Sequence, residues 1–156
     1  MGVTSSMTAT SRVSFDTNIL IYSIDLRDMD KHAIARKIVR RCGEINGVIS
    51  LQCLSEFYRA TTKKQLLPAG LARDIVEETR AAIDVVAPIE ADLLRAIELH
   101  QTHKQQFFDA LMRATVERAG CATLFSEDMG HGTKLGRLTV LNPFLLSAEE
   151  LERALA

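Results

Sequence analysis

The chain has 156 residues, 47% hydrophobic and 25% charged, with 19 Lys+Arg against 20 Asp+Glu. A chain of this length buries roughly 70% of the surface its unfolded form exposes, so its core needs neither disulfides nor a structural metal. The formal charge of -1 argues against nucleic-acid binding by global basicity and leaves a local basic face as the route to such a partner.

Residues 1–11 are polar and lack the apolar run of a secretion signal, so they read as a disordered leader before a single domain over residues 12–156. The start Met1-Gly2-Val3-Thr4-Ser5-Ser6 also fits a loose myristoylation pattern, a weak signal on a polar tail. Val13-Ser14-Phe15 is a short strand stopped by Asp16-Thr17-Asn18, and Ile19 to Tyr22 reads as a first helical turn. A helix over Asp30 to Cys42 places Ala33, Ile34, Ile38 and Val39 at helical spacing, with Gly43 as its stop. Val48-Ile49 is a strand, followed by a helix carrying Leu51, Leu54, Phe57 and Tyr58. Pro68 suits the first turn of a helix running to about Ile83.

Val85 to Ala87 is the next strand, and Pro88 introduces a helix from about Ile89 to His103 whose apolar side is Leu93, Leu94, Ile97 and Leu99. A helix from Phe107 to Ala119 ends at Gly120, Ala122 to Phe125 is a strand, and Ser126 to Gly136 is a Gly-containing loop. Leu138 to Leu141 is the last strand, and Ser147-x-x-Glu150 is a capping box opening a C-terminal helix. Short apolar strands alternating with longer amphipathic helices predict an α/β fold, a three-layer α/β/α sandwich around a short central parallel sheet. Its ligand crevice is expected outside the carboxyl ends of the strands.

Cys42, Cys53 and Cys121 are odd in number and widely spaced, as small apolar residues in a reducing cytoplasm are. No stretch approaches the roughly 18 apolar residues of a membrane span, so no membrane partner is expected. His100-x-x-His103 has the spacing of a metal pair without a third ligand at a characteristic interval, and charge at a helix end explains it as well. Arg113 stands four residues after Asp109, the spacing of a helix salt bridge. The basic run Lys31, Arg36, Lys37, Arg40, Arg41 suits either an RNA backbone or a solvated helix face.

Asp16 and Asp128 each follow a strand, and Glu56 and Asp109 interrupt otherwise apolar helix faces. Clustered carboxylates are costly without a compensating cation, and an all-oxygen set suits Mg²⁺ or Mn²⁺. Singly, each acid has a plain structural reading: Asp16 as a helix cap, Asp109 as a first-turn acid, Asp128 as a loop acid.

The segments Val13-Ser14-Phe15-Asp16-Thr17-Asn18-Ile19-Leu20, Ser55-Glu56-Phe57, Phe107-Phe108-Asp109-Ala110-Leu111 and Leu124-Phe125-Ser126-Glu127-Asp128-Met129, closing on Val140-Leu141-Asn142-Pro143-Phe144, resemble the PIN-domain family. They look most like its VapC-type toxin ribonucleases, in the right order from Arg12 to Phe144. The resemblance implies a metal-dependent endoribonuclease with Mg²⁺ or Mn²⁺ held by Asp16, Glu56, Asp109 and Asp128. It also implies an RNA substrate, a cognate antitoxin and a homodimer. By the same resemblance Thr17 and Asn18 orient the first acid, and Ser126 bonds near the metal. Glu127, adjacent to Asp128, is an alternative fourth acid.

Arg59, Lys63, Lys134 and Arg137 are candidate RNA contacts, with Lys64 on the same helix as the first two. The alternatives are a nuclease of this kind acting in RNA processing or on DNA without a toxin role, and a non-catalytic binding module. An Asp-nucleophile phosphatase wants Asp-x-Asp after the strand, where this chain has Asn18.

Overall fold

A computed structural model describes residues 11–156. The expected leader and the myristoylation pattern therefore fall outside the described residues, apart from Ser11. In chain order the elements are β1 (Arg12–Phe15), α1 (Thr17–Tyr22), α2 (Met29–Glu44), β2 (Val48–Ser50), α3 (Leu51–Lys63), α4 (Ala69–Ala82) and β3 (Asp84–Val86). They continue with α5 (Glu90–His103), α6 (Phe107–Arg118), β4 (Cys121–Phe125), β5 (Lys134–Leu135), β6 (Leu138–Leu141), a 3₁₀ turn over Pro143–Leu145, and α7 (Ala148–Ala154).

The main sheet has the order β1-β4-β6-β5. β1, β4 and β6 run parallel, with Phe15 beside Phe125 and Phe125 beside Leu141. Val13, Ser14 and Phe15 are all buried, as are Leu124 and Phe125. Successive strand side chains point to opposite faces, so such runs mean a sheet covered on both sides. That is the three-layer α/β arrangement expected from the alternation of elements. α2 packs on β1, and α6 on β4 and β2.

Among the described residues β2 and β3 pair in parallel with each other and form no ladder with the main sheet. Three expectations are corrected. The loop after β4 contains β5, which turns back antiparallel onto β6 and covers that sheet edge. Gly43 does not stop α2, which runs on to Glu44; the exit is made by Asn46 at φ 63° and by Gly47. A Cβ on Gly47 would stand 2.6 Å from the Cys42 carbonyl oxygen, so glycine is needed there for close approach. Finally, the inner face of α5 is Asp92, Ala96 and Leu99, while Leu93, Leu94 and Ile97 are exposed. Asp92 earns that burial by receiving the Arg118 guanidinium at 2.9 Å and the Ile89 N–H.

The three cysteines are free and buried. Pro68 occupies the N-cap position of α4, one residue before its first turn. Among the described residues no helix is long and apolar enough to cross a membrane.

Candidate functional site

The carboxyl ends of β1 and β4 set the first acid. The Asp16 N–H donates to the Phe125 carbonyl at 2.9 Å, extending the β1–β4 ladder by one residue before the chain turns into α1. Asp16 is the N-cap of α1: its Oδ1 accepts the Thr17 N–H at 2.6 Å, and its Oδ2 accepts the Ser126 hydroxyl at 2.9 Å. Ser126 is anchored in turn by its own N–H on the Leu141 carbonyl. The cap reading of Asp16 is thus correct and leaves its carboxylate facing the cleft.

Glu56 stands in the second turn of α3, a helix that starts at the end of β2 under the Ser50 cap. Its carboxylate accepts the Thr17 hydroxyl at 2.8 Å and the Gln52 amide at 2.9 Å. Asp109 lies in the first turn of α6. With its amide turned to satisfy both groups, Gln106 donates to the Asp109 oxygens at 2.8 and 3.2 Å. Asp128 accepts the Asn18 amide, and its N–H is 3.3 Å from the Ser126 hydroxyl. Thr17 and Asn18 therefore reach across to Glu56 and Asp128, beyond the first acid they were expected to orient. Ser126 holds Asp16 itself.

The four acids line one open cleft of about 380 Å³ together with Thr17, Asn18, Arg59, Lys64, Gln106 and Phe108. Glu127 is turned away from it, ion-paired with Lys31 and accepting the Tyr22 hydroxyl at 2.6 Å. Asp128, of the two adjacent acids, is the one that faces the cleft. Lys63 is exposed and does not line the cleft, whereas Lys64 does. Lys134 lies on β5 at a different concavity, and Arg137 is in the exposed turn that follows. Neither lines the acid cleft itself.

The electrostatics follow from crowding. Burial raises the Asp16 pKa against the Ser126 and Thr17 hydrogen bonds, and the charges of Glu56 and Asp128 raise it further. Asp109 is pushed up to about 6, first by burial and then by the charges of Asp16, Glu56 and Asp128. Among the described residues none of the four acids is ion-paired with a lysine, arginine or histidine. Nor does any group of three His, Cys, Asp or Glu among them form a ready-made metal cage. The acids line one space, and Thr17, Gln52, Asn18 and Gln106 hydrogen-bond to them.

Other candidates resolve structurally. Arg113 makes no salt bridge with Asp109; its guanidinium donates to the Gln105 side chain at 3.0 Å and reaches Thr133 at 3.5 Å. His100 contacts the Gln105 carbonyl at 2.7 Å and meets Phe107 edge-on, so it pins the link between α5 and α6. On α2, Lys31 and Lys37 are paired with Glu127 and Glu152, and Arg41 donates to the Leu155 carbonyl, so three of its five basic residues serve packing. Gln52 and Gln106 escaped the sequence reading; the only trace of the former is its place one turn before Glu56.

A family model for the PIN domain matches residues 13–131. Sequence comparison with curated proteins gives no significant match. Among solved structures, the fold is similar to a chain of a toxin-antitoxin complex from Klebsiella pneumoniae, with TM-score 0.62 and 20% identity over 85% of this chain and 98% of that one. It is also similar to VapC20 of Mycobacterium tuberculosis, a Sarcin-Ricin loop cleaving toxin, with TM-score 0.57 and 15% identity over 75% of this chain and 92% of that one. With the sheet, the cleft at its carboxyl edge and a family match over most of its length, this chain belongs to the PIN-domain family.

Proposed function

We propose that the chain is a metal-dependent endoribonuclease, the toxin of a toxin-antitoxin pair, which hydrolyses RNA phosphodiester bonds with water as the nucleophile. The observation that carries this reading is the meeting of Asp16, Glu56, Asp109 and Asp128, from four separate segments, in one cleft without an ion-paired cation among the described residues. An all-oxygen, multiply anionic donor set fits a hard divalent cation, and these four residues would hold Mg²⁺ or Mn²⁺. Such an ion supplies a water of lowered pKa and offsets charge on the phosphate and leaving oxygens.

The protein's own groups do the positioning. Ser126 and the Thr17 N–H keep the Asp16 carboxylate aimed at the cleft, and the Thr17 hydroxyl does the same for Glu56. Asp109, titrating at about 6, is ionised at neutral pH. Arg59 and Lys64 on the cleft wall offer charge to the RNA backbone, and Phe108, 58% exposed at the rim, offers a ring on which a base can stack.

RNA as substrate and an antitoxin as partner are supported by the likeness to VapC20 and to the Klebsiella complex. A second copy as partner is supported by the exposed Leu51, Tyr58 and Val85 around a groove of about 680 Å³. Its rim carries Arg73 and the Glu77–Arg80 ion pair.

The test is cleavage of total cellular RNA by the purified chain with Mg²⁺, Mn²⁺ or EDTA, beside Asp16→Asn. Discrete fragments that need metal and disappear in the variant are expected. Equal cleavage by the variant would reject the site, and cleavage of a DNA substrate run in parallel, with RNA left intact, would move the reading to a different nuclease.

A further inference from the structure

Next to the acid cleft lies a hollow of about 580 Å³ between the end of α5, α6 and the β5 hairpin. Its lining includes Arg113, His103 and Lys134, and no aspartate or glutamate. Arg113 is only 4% exposed. One of its terminal nitrogens donates to the Gln105 side chain at 3.0 Å, the other is stretched 3.5 Å from the Thr133 hydroxyl, and its Nε is buried with no hydrogen-bond partner among the described residues. No carboxylate among them pairs with it. A buried guanidinium ordinarily has a carboxylate at hydrogen-bond distance; Arg113 has one amide, one distant hydroxyl and only the through-space charge of Asp109, beyond ion-pair distance. Glu117, beside Gly136 at that rim, is held by Arg95 at 2.7 Å.

The hollow and the cleft are lined by neighbouring residues: Gln105 lines one and Gln106 the other, as do Met129 and Asp128, and Arg113 and Asp109 are one helical turn apart. We propose that this hollow is a phosphate-binding subsite, in which Arg113, with Lys134 and His103 at its mouth, holds a backbone phosphate of the RNA beside the bond in the acid cleft. The proposal rests on the nuclease reading. Arginine's planar fork suits a phosphate oxygen pair, and its unpartnered Nε–H is one of the donors that fork supplies.

The experiment follows the Arg113 side-chain Nε–H by NMR in the full chain, titrated first with inorganic phosphate and then, in the Asp16→Asn background, with a single-stranded oligouridine. A saturable shift of that resonance with both probes is expected, and Lys134→Ala with His103→Ala should weaken oligouridine binding about tenfold and reduce the slope of log affinity against log salt. Both variants are at exposed positions, so they keep the test open where Arg113→Ala fails to fold. An unmoved resonance with oligouridine, or unchanged binding in the double variant, would overturn the subsite. A shift with phosphate alone would mean an adventitious ion only. If native protein shows the shift with both probes and cleaves no RNA with any divalent ion, the nuclease reading falls while the subsite stands.

Discussion

The acid cleft and the hollow beside it are one helical turn apart on α6, yet they carry opposite unpaired charge. In the cleft, Asp109 is one of four carboxylates without an ion-paired cation; in the hollow, Arg113 is a buried cation without a carboxylate. Helix geometry offers them to each other at the i, i+4 spacing, and they do not pair. Two consecutive glutamines stand between them: Gln106 takes the Asp109 oxygens and Gln105 takes the Arg113 guanidinium. A neutral amide satisfies a charged group without cancelling it. The two charges therefore act on each other only through space, without a direct ion pair.

The largest effect expected is that of Asp109→Asn, which should lower RNA cleavage by on the order of a thousandfold. The same substitution tests the crowding. Asp109 titrates at about 6 in the folded chain against 3.8 for the free group, so the folded state holds the extra proton between those values. Stability without metal should therefore fall as pH rises from about 4 to about 6 and level off above, and Asp16 shifts in the same direction. Asp109→Asn removes its share of that slope and, after discounting for solvent screening, should stabilise the metal-free chain by roughly 1 kcal/mol at pH 7. Thermal melts across pH check it; an unchanged slope would mean that Asp109 is not crowded.

Thr17→Val removes the hydroxyl that reaches Glu56 and keeps the backbone cap of Asp16, so cleavage should drop about tenfold with little loss of fold. Gln105→Glu places a carboxylate on Arg113. It should raise Tm by roughly 2–4 °C, the equivalent of about 1 kcal/mol in a chain of this size, and weaken phosphate binding in the hollow. A stabilised variant that binds phosphate as before would mean that Arg113 does not hold phosphate in the hollow. The smallest effect belongs to Lys31→Ala. Its pair with Glu127 is partly exposed and outside the cleft, so stability should fall by at most about 1 kcal/mol and cleavage should stay within about twofold.

The frame was legible because its signals are local. Val13-Ser14-Phe15 before Asp16, and Ala122 to Phe125 before Ser126, place polar residues at the carboxyl ends of two strands whatever the strand order. Which side chain of an adjacent pair turns inward was not legible: Glu127 and Asp128 differ by a Lys31 and a Tyr22 roughly a hundred residues earlier in the chain. The outward turn of Leu93, Leu94 and Ile97 was hidden for a related reason. Hydrophobicity ranks them above Asp92 as core residues, and the Ile89 N–H together with the Arg118 contact across to α6 makes Asp92 the buried member. Arg113 misled in the opposite sense, since a favourable spacing to Asp109 exists and is overridden by two amides.

One consequence of the sheet order concerns timing during synthesis. Among the described residues β1 has its only ladder partner in β4, so the first strand waits for Cys121–Phe125 before it is paired. The Ser126 hydroxyl that holds Asp16, and Asp128 itself, come later still. Contacts separated by more than a hundred residues form late and slowly. A nascent chain on the ribosome thus exposes Asp16 from the start but has no assembled cleft until most of its length has emerged, and a chain truncated before β4 should be inert.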